Sequence, residues 1–420
     1  MRSRSTSFSL PQAESVVDGT LPAPRVTGRP RRHVVVLVVN LVVAASLVLT
    51  GSLVLYANGK VSSRLVVDLS GRTDVPVGSD SPAPGNDTPR NFLLTGSDGG
   101  ACVDANDVTS GGIGDRASLG ERSDTIMILR VDPTTTAVAI LSFPRDLWVN
   151  IAGTNRQSRI NSAFRADEPE RLVRTIGDNF GIPVDHYVNV NFCAFKQIVD
   201  AVGGVQVPFE YATRDEKTGF RVAAPGCHKL DGSQALAYVR SRSGYRYFDT
   251  TRQEWLADPT GDIGRIGRQQ DFLRRSMQRA LDRGRSNPAV ATQLLNAALD
   301  NVITDDRLTP RDLLALANAM RNVNAANSAS YTIEWTPRRI GDQAVLLPVI
   351  DSDSMRAILE VFRGAPGDAA VTTGGAVALP TAVVRGVGAT IAQLVGAGDT
   401  TTPPSQEQVG IVPPDDPSCR

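Results

Sequence analysis

The chain is poor in the residues that build several common kinds of site. Its 420 residues include four cysteines and three histidines, and no two cysteines form a Cys-x-x-Cys pair. Structural zinc sites gather four Cys or His ligands at short spacings, so these scattered residues argue against one. Neither a Gly-x-x-x-x-Gly-Lys-Ser/Thr loop nor a Gly-x-Ser-x-Gly elbow occurs, which argues against a P-loop enzyme and an α/β-hydrolase.

Lysine is scarce as well, with four lysines against 40 arginines. The formal net charge is zero, so there is no overall basic surface for nucleic acid. Hydrophobic residues make up 41% of the chain, enough for a sizeable core. The bias to Arg, Ala and Val is typical of GC-rich coding, and we expect an actinobacterial source.

Charge is missing altogether from residues 34–57, a run of 24 positions. A helix of that length spans about 36 Å, enough to cross a hydrocarbon core of ~30 Å. Six arginines and two acids precede it, a local net charge of +4, which places the N-terminus in the cytoplasm. We therefore predict a single-pass, type II cell-membrane protein with an extracytoplasmic globular domain; a cleaved signal peptide is the alternative.

Composition divides the rest of the chain. We predict a disordered cytoplasmic tail over residues 1–33, a stalk over 58–88, a globular domain over 89–363 with its core at 91–283, and a mostly disordered tail rich in Pro, Gly and Thr over 364–420. Disulfides persist outside the cytoplasm. The pairing of Cys102, Cys193, Cys227 and Cys419 is open, and Cys193–Cys227 is the pair that we favour.

Strand-like and helix-like segments alternate within the globular domain. This order predicts an α/β fold, a mixed central β-sheet flanked by helices. Residues 125–131 and 137–143 are apolar runs around Asp132-Pro133, which predicts a hairpin. Residues 238–242 look extended. The other main predictions are strands at 91–95, 186–191, 205–209 and 330–335, and helices at 193–201, 268–283, 289–302 and 310–323.

Two aspartates stand beside predicted strands. Asp98 follows one strand and Asp124 precedes another. Strand ends are rigid and open to solvent, and Mg²⁺ is commonly held by one or two carboxylates together with phosphates and water. The alternative is that each carboxylate serves only a turn or a helix cap.

Arginines cluster in the following segments. On a strand, Arg240 and Arg242 would project from one face, where an anion would relieve their repulsion. If a helix begins near Asp262, then Asp262, Arg265 and Gln269 share one stripe and Arg268 lies at its rim. Arg145 and Arg159 are isolated cations. The alternative for Arg240 and Arg242 is an exposed edge strand that uses arginine for solubility. The alternative for the second group is a helix whose N-cap is Asp262 and whose arginines face solvent.

Taken together, these blocks resemble the LytR-CpsA-Psr family of cell-wall glycopolymer ligases. The resemblance runs from about Asn91 to Arg283, with a weaker extension to about Phe362. Several separate motifs in order carry it. They are Phe92-Leu93-Leu94-Thr95-Gly96-Ser97-Asp98, Arg122-Ser123-Asp124-Thr125-Ile126-Met127, Ser142-Phe143-Pro144-Arg145-Asp146, Arg159-Ile160-Asn161-Ser162-Ala163-Phe164, Val199-Asp200-Ala201-Val202-Gly203-Gly204-Val205, and Leu230-Asp231-Gly232 through Gln270.

The resemblance implies a Mg²⁺- or Mn²⁺-dependent phosphotransferase with an apolar groove for lipid. It would move a glycopolymer of the arabinogalactan kind from a polyprenyl diphosphate to peptidoglycan, and pyrophosphatase activity is a second expectation. Carried over by position, Asp98 and Asp124 would hold the metal. The residues expected to act on the diphosphate are Arg145, Arg240, Arg242, Asp262 and Arg265, with Arg122, Arg159, Arg268 and Gln269 as further substrate contacts.

The chain departs from the family pattern in two places. Gly99-Gly100 stand where the family often has Ser-Arg, which removes one expected phosphate contact. Residues 243–261 form an insert whose aromatic residues suit a lid or an acceptor surface. The role of Asp262, as base or as a residue that orients an arginine, is open. The alternative functions are a membrane-anchored transcription attenuator and a binder of lipid-linked glycan without turnover.

Overall fold

The computed structural model describes residues 65–69, 88–98, 107, 109, 123–165, 168–287, 289–290, 293–294, 296–297, 302–308, 328–364, 406 and 410–419. The chain divides into two units, Met1–Ala57 and Asn58–Arg420, and every described residue belongs to the second. Within those residues no helix has the length and apolarity to cross a bilayer. The predicted cytoplasmic tail 1–33, the membrane segment 34–57 and the helix at 310–323 lie outside them.

The described residues form a mixture of strands and helices. The strands are β1 (Leu65–Val67), β2 (Arg90–Ser97), β3 (Ser123–Asp132), β4 (Ala137–Ser142), β5 (Trp148–Asn150), β6 (Gln157–Arg159), β7 (His186–Asn191), β8 (Val205–Phe209), β9 (Thr213–Asp215), β10 (Phe220–Val222), β11 (Gly226–Leu230), β12 (Arg246–Asp249), β13 (Glu254–Ala257), β14 (Val302–Asp305), β15 (Ala329–Thr332), β16 (Trp335–Ile340) and β17 (Gln343–Pro348). The α-helices are α1 (Glu170–Phe180), α2 (Phe192–Ala201), α3 (Gly232–Arg240), α4 (Asp262–Ser286) and α5 (Asp353–Arg363).

A seven-stranded sheet forms the centre of the fold, in the order β1-β14-β7-β2-β3-β4-β15. The pairs β1–β14, β2–β7 and β4–β15 are parallel, whereas β14–β7, β2–β3 and β3–β4 are antiparallel. The predicted α/β class with a mixed central sheet is therefore confirmed. Smaller sheets include the four-stranded β10-β9-β12-β13, which contains the insert 243–261.

The β3–β4 hairpin forms where the sequence predicts it. The Asp132 carboxylate accepts hydrogen bonds from the backbone N–H and the hydroxyl of Thr134, at 2.9 and 2.6 Å. Such Asx turns reverse the chain after a strand. Strands β7 and β8 have the predicted bounds, and α4 contains the predicted helix 268–283. Val302, the last residue of the predicted helix 289–302, begins strand β14.

Two apolar cores support these elements. The main core lies between the central sheet and helices α1 and α5, and it includes Leu93, Ile128, Ile176 and Phe362. The second core joins β8 to helices α2, α3 and α4, with Phe272 of α4 among its buried side chains. Full burial of each such side chain contributes about 1.5–3 kcal/mol of stability. Helix α4 is thereby fixed beside the ends of β2 and β3.

The prediction that residues 238–242 are extended is wrong for Tyr238, Val239 and Arg240, which end helix α3. Asp231 caps this helix: its carboxylate accepts from the Gln234 N–H at 2.9 Å, and the Gln234 side chain accepts from the Asp231 N–H. A capping box of this kind starts a helix strongly enough to override the strand preference of Tyr and Val. Arg240 and Arg242 therefore do not share a strand face.

The end of the chain packs against helix α4. Arg275 donates to the Pro414 carbonyl at 2.8 Å, and Arg268 donates to that of Ile411 at 3.3 Å. Gly410 has a φ of 104°, and a Cβ there would stand 2.7 Å from the Gly264 Cα, so glycine permits this close approach. Residues 410–419 belong to the segment 364–420 that was predicted to be mostly disordered, and these contacts hold them in place; residues 365–405 and 407–409 lie outside the described part.

A disulfide between Cys227 and Cys419 closes this end of the chain onto β11. The favoured Cys193–Cys227 pairing is therefore wrong. Cys193 is itself disulfide-bonded, and none of the described cysteines is free. The two bonded residues are 192 positions apart, a separation that cysteine spacing in the sequence does not reveal.

We expect loss of the Cys227–Cys419 bond to lower the free energy of unfolding by about 2–4 kcal/mol, because the bond restricts the unfolded chain. Urea unfolding of the full-length protein would measure this for Cys419→Ser and Cys227→Ser. The double variant should match the single ones, since all three remove the same bond. Single variants as stable as the wild type would contradict the prediction.

Candidate active site

Charged side chains gather where strands β2 and β3 end beside the start of helix α4. The β2–β3 register pairs Gly96 with Thr125 and Ser97 with Ser123, which leaves Asp124 as the extra residue of a β-bulge. Bulges redirect a side chain that regular pairing would hold in the sheet. Asp98 follows directly after β2, at the same end of the sheet.

Asp124 is surrounded by three arginines. Its Oδ1 lies 2.7 Å from Nη1 of Arg145, and its Oδ2 lies 3.7 Å from Arg265 and 3.9 Å from Arg242. Arg265 also donates to the Asp124 backbone carbonyl at 2.8 Å. The side chain of Arg265 is 3% exposed, so this guanidinium depends on acidic partners for its charge.

Asp262, the first residue of helix α4, meets the same arginines. Its Oδ1 lies 2.9 Å from Nε of Arg242, 3.0 Å from Nη2 of Arg265 and 3.9 Å from Nε of Arg145. An acid in the first turn is also favoured by the helix dipole. We call these five residues, Asp124, Arg145, Arg242, Asp262 and Arg265, the arginine–aspartate cluster; it holds three positive and two negative charges.

The guanidinium nitrogens of this cluster differ in their partners. Nε of Arg242 faces Oδ1 of Asp262 at 2.9 Å and Nε of Arg145 faces Asp146 at 3.4 Å, whereas the buried Nε of Arg265 has no hydrogen-bond partner among the described residues. Buried donors without partners are rare in folded proteins and are often found where a ligand binds. Together with the excess positive charge, this donor makes the cluster suitable for an anion with several oxygen atoms.

The electrostatics of the cluster shift its pKa values. Burial alone would raise the pKa of Asp124, but Arg265 and Arg145 outweigh it and hold the pKa below the ordinary 3.8. Burial opposes the charge of Arg145, yet Asp124 raises the pKa of that guanidinium. For Arg265, burial is the largest effect and lowers the pKa, with repulsion from Arg242 and Arg145 in the same direction.

The lowered pKa of Asp124 predicts a pH dependence of stability. A carboxylate with a depressed pKa contributes stability above its unfolded value of 3.8, and this is lost as the pH falls through the folded value. We expect the wild type to lose more free energy of unfolding between pH 6 and pH 3 than Asp124→Asn. Urea unfolding at both pH values tests this, with Asp353→Asn on helix α5 as control; equal losses in wild type and Asp124→Asn would contradict it.

The remaining predicted residues lie around the cluster in supporting positions. Arg159 stands 3.3 Å from Asp146, which is in turn 3.4 Å from Arg145. Gln269 donates to the Thr125 hydroxyl and to the Val239 carbonyl, both at 3.0 Å, and so ties α4 to β3 and α3. Arg159 is thus linked to Arg145 through Asp146, and Gln269 holds helix α4 against its neighbours.

Two predicted arginines have other surroundings. Arg240 donates to the Thr109 carbonyl at 3.5 Å and lies 5.2 Å from the centre of the Phe192 ring. Arg268 is fully buried: it pairs with Asp258 at 2.6 Å and donates to the Ser241 carbonyl at 3.0 Å. Arg268 therefore supports the chain that leads to Arg242 rather than lining the site. Arg122 lies outside the described residues.

Sequence reasoning missed the two acids that hold these arginines, Asp146 and Asp258. Asp146 follows Arg145 directly, so two adjacent opposite charges after Pro144 were a signal in the sequence. Asp258 opens an Asp-Pro-Thr-Gly turn before helix α4, where the residues suggested only a turn. Its pairing with Arg268, ten positions later, depends on how the turn folds back.

The two candidate metal ligands stand at the same end of the central sheet, and one of them, Asp124, is paired with three arginines. Asp98 follows strand β2, and Asp124 is the bulge residue of the adjacent strand β3. Proteins commonly supply two carboxylates to a Mg²⁺ ion whose other ligands are phosphates and water. Within the described residues, no group of three or more His, Cys, Asp or Glu side chains is placed to hold a metal.

Proteins of known family resemble this chain in sequence. The LytR_cpsA_psr family profile matches residues 67–360. "Probable cell wall biosynthesis protein LcpB" of Corynebacterium glutamicum is 31% identical over 299 residues, 70% of this chain and 65% of that protein. "Polyisoprenyl-teichoic acid--peptidoglycan teichoic acid transferase TagV" of Bacillus subtilis is 33% identical over 207 residues, 47% of this chain and 49% of that protein. The chain thus matches less than two thirds of either relative.

Solved structures share the fold. The "LytR-Csp2A-Psr enzyme from Actinomyces oris" has a TM-score of 0.52 at 22% identity, covering 71% of this chain and 96% of that one. The structure described as "TagT bound to LIIa-WTA" has a TM-score of 0.51 at 20% identity, covering 71% and 98%. At these identities the likeness concerns the fold, and it agrees with the mixed sheet and flanking helices.

Proposed function

The chain belongs to the LytR_cpsA_psr family, and from this premise we propose that it is a phosphotransferase that attaches a lipid-linked glycopolymer to peptidoglycan. The names of LcpB and TagV, a cell wall biosynthesis protein and a teichoic acid–peptidoglycan transferase, support this reaction class. The donor would be a polyprenyl diphosphate that carries the glycan. Peptidoglycan would supply the acceptor hydroxyl.

One observation carries the proposal: the guanidinium groups of Arg145, Arg242 and Arg265 converge on two carboxylates, so the arginine–aspartate cluster keeps a net positive charge for an anion. Guanidinium groups bind phosphate oxygens in pairs and strengthen that contact when water is excluded. Arg145 and Arg242, which are 20% and 35% exposed, are accessible to a diphosphate, whereas buried Arg265 adds charge from below. We also assign Arg240, Arg122 and Arg159 to the outer contacts of the donor.

The proposed reaction exchanges one phosphorus–oxygen bond for another. The acceptor oxygen bonds to the glycan-side phosphorus, and the bond from that phosphorus to the bridging oxygen breaks, so polyprenyl phosphate leaves with the bridging oxygen. The acceptor proton passes to solvent or to the released phosphate. Arginines stabilise the charge on both phosphates as it shifts. With water as acceptor, the same steps give pyrophosphatase activity.

We assign Asp262 the role of orienting arginines. Its Oδ1 lies within 3.0 Å of both Arg242 and Arg265, so the carboxylate is occupied by two cations. A carboxylate held this way fixes the direction of the guanidinium groups, which matters because a misplacement of about 1 Å can lower a rate 10²-fold. Asp262 thus keeps two arginines in place for the diphosphate.

We further propose Mg²⁺ or Mn²⁺ as cofactor, with Asp98 and Asp124 as the protein ligands. Such an ion, when bound, would neutralise charge on the diphosphate. Arg145, whose Nη1 lies 2.7 Å from Oδ1 of Asp124, would fix the orientation of that carboxylate. The lipid tail would occupy an apolar groove between sheet and helices, and the uncharged segment 34–57 would anchor the protein as a single-pass type II protein in the cell membrane. The bias to Arg, Ala and Val suggests an actinobacterial source, and for such a source we propose an arabinogalactan-like donor.

The full-length protein in detergent tests the proposal. With a polyprenyl diphosphate-linked glycan, Mg²⁺ and peptidoglycan fragments, we expect polyprenyl phosphate and a glycan–peptidoglycan product, both lost with EDTA and restored by Mg²⁺ or Mn²⁺. Product formed equally well in EDTA would overturn the metal assignment. Donor binding without product would favour a non-catalytic binder. Neither binding nor turnover would favour the regulatory alternative.

A further inference from the structure

The small sheet β10-β9-β12-β13 carries a row of arginines across three strands. The register pairs Arg221 of β10 with Arg214 of β9, and Arg214 with Arg246 of β12. Residues directly opposite in antiparallel strands share a face of the sheet, with Cβ atoms about 4.5–5.5 Å apart. Like charges at that spacing repel each other, so this row is costly unless an anion binds it.

Few acidic groups compensate this row. The side chains of Arg221 and Arg246 are exposed and have no ion pair or hydrogen bond among the described residues. Arg214 lies 3.8 Å from Glu216, a side chain that is 81% exposed. The Nε of Arg214 is buried and has no hydrogen-bond partner among the described residues. The face therefore carries a net positive charge and donors available to a ligand.

Two aromatic side chains complete this face. Phe248 and Trp255 are opposite each other on β12 and β13, and their ring centres are 5.5 Å apart. Phe248 is two residues from Arg246 on one strand and so projects from the same face. The guanidinium of Arg214 lies 4.3 Å from the centre of the Trp255 ring. Both rings are partly exposed.

We propose that this face, defined by Arg214, Arg221, Arg246, Phe248 and Trp255, binds a carboxylate-bearing glycan chain. Arginine forks suit carboxylates in a bidentate geometry, and aromatic rings offer flat apolar area beside a polar rim, which suits the faces of sugar rings. A lipid surface fits less well: the exposed large hydrophobic residues of the described part are Leu65, Val66 and Ile340, and none belongs to this face.

The position of the face suggests which glycan it holds. Arg246 follows Arg242 of the arginine–aspartate cluster by four residues, a separation of at most about 14 Å. The Asp258 N–H donates to the Tyr245 carbonyl at 3.0 Å, which ties the strand pair to the turn before α4. A glycan on this face would lead toward the cluster. Its assignment as the peptidoglycan acceptor rests on the proposed function.

Binding of soluble peptidoglycan strands to the full-length protein tests the face directly. We expect the double variant Arg221→Ala, Arg246→Ala to raise the Kd for peptidoglycan strands by about tenfold or more. Peptidoglycan strands whose carboxylates have been converted to methyl amides should bind the wild type as weakly as unmodified strands bind the variant. The matched control Arg338→Ala, Arg339→Ala, on exposed positions of β16, should bind as the wild type does. Unchanged binding by the first double variant would overturn the proposal.

Two further measurements separate this proposal from others. The variant should still hydrolyse the donor when no acceptor is present, whereas its KM for peptidoglycan strands should rise. If the wild type did not hydrolyse the donor, the proposed function would be wrong, but the binding test of the face would remain valid. Vesicles with phosphatidylglycerol provide the lipid comparison. If the variant lost vesicle binding and kept strand binding, the face would be a lipid site and the glycan assignment would be wrong.

Discussion

Arg242→Ala is expected to lower kcat by about 10²–10³, the usual cost of removing one fixed donor to a developing oxyanion. Arg242 is the cluster arginine suited to this test because its side chain is 35% exposed, so truncation admits water instead of opening a sealed cavity. Its loss removes a guanidinium from Asp124 and Asp262 together. Turnover of the polyprenyl diphosphate donor by the full-length protein measures the effect.

Arg242→Lys provides the conservative comparison. Lysine restores the charge but not the planar fork, so we expect only partial recovery of kcat. Arg174→Ala, which removes an exposed arginine 3.9 Å from Glu170 on helix α1, is the control and should turn over as the wild type does. Wild-type kcat in Arg242→Ala, with an unchanged unfolding transition, would show that Arg242 does not act on the diphosphate.

Asp258→Ala is expected to lower the free energy of unfolding by about 3–5 kcal/mol, because it leaves the Arg268 charge buried without its partner. The two side chains are fully buried and 2.6 Å apart. Arg268 also lies 4.1 Å from the centre of the Tyr245 ring, which does not replace a carboxylate. Urea unfolding of the full-length protein measures the loss.

A second variant separates the missing charge from the missing contacts. Replacing both residues, as in Asp258→Val with Arg268→Met, removes both charges and should be less destabilising than Asp258→Ala alone. Glu168→Ala, which breaks the exposed pair with Arg171, should change stability little. A double variant as unstable as Asp258→Ala would show that packing, and not the uncompensated charge, causes the loss.

Local signals in the sequence were sufficient for much of the fold. The β3–β4 hairpin follows from two apolar runs around an Asp-Pro turn, and the helix around Phe272 follows from regular apolar spacing. Asp231 and Gln234 show where local reasoning was incomplete. Their Asp-x-x-Gln spacing is a capping-box signal in the sequence, and it marks the start of the helix that contains Tyr238 and Val239.

For the candidate site, too, some residues could be predicted from local sequence and others could not. Motif positions identified Asp124, Arg145, Arg242, Asp262 and Arg265, which the structure brings together. The acids that hold the neighbouring arginines, Asp146 and Asp258, were not found. Such pairs are set by tertiary packing, since a buried Asp in a turn has the same sequence signature as an exposed one. The same limit applies to the Cys227–Cys419 bond.

The contacts of residues 410–419 have a consequence for the order of folding. The helix that carries Asp262 and Arg265 receives hydrogen-bond acceptors for Arg268 and Arg275 from Ile411 and Pro414. These acceptors lie 143 and 139 positions after the arginines that they bind, and the Cys227–Cys419 disulfide ties the same segment to β11. Helix α4 can form from local contacts before residues 410–414 reach it, and a protein truncated before Gly410 would keep every cluster residue yet lack this support.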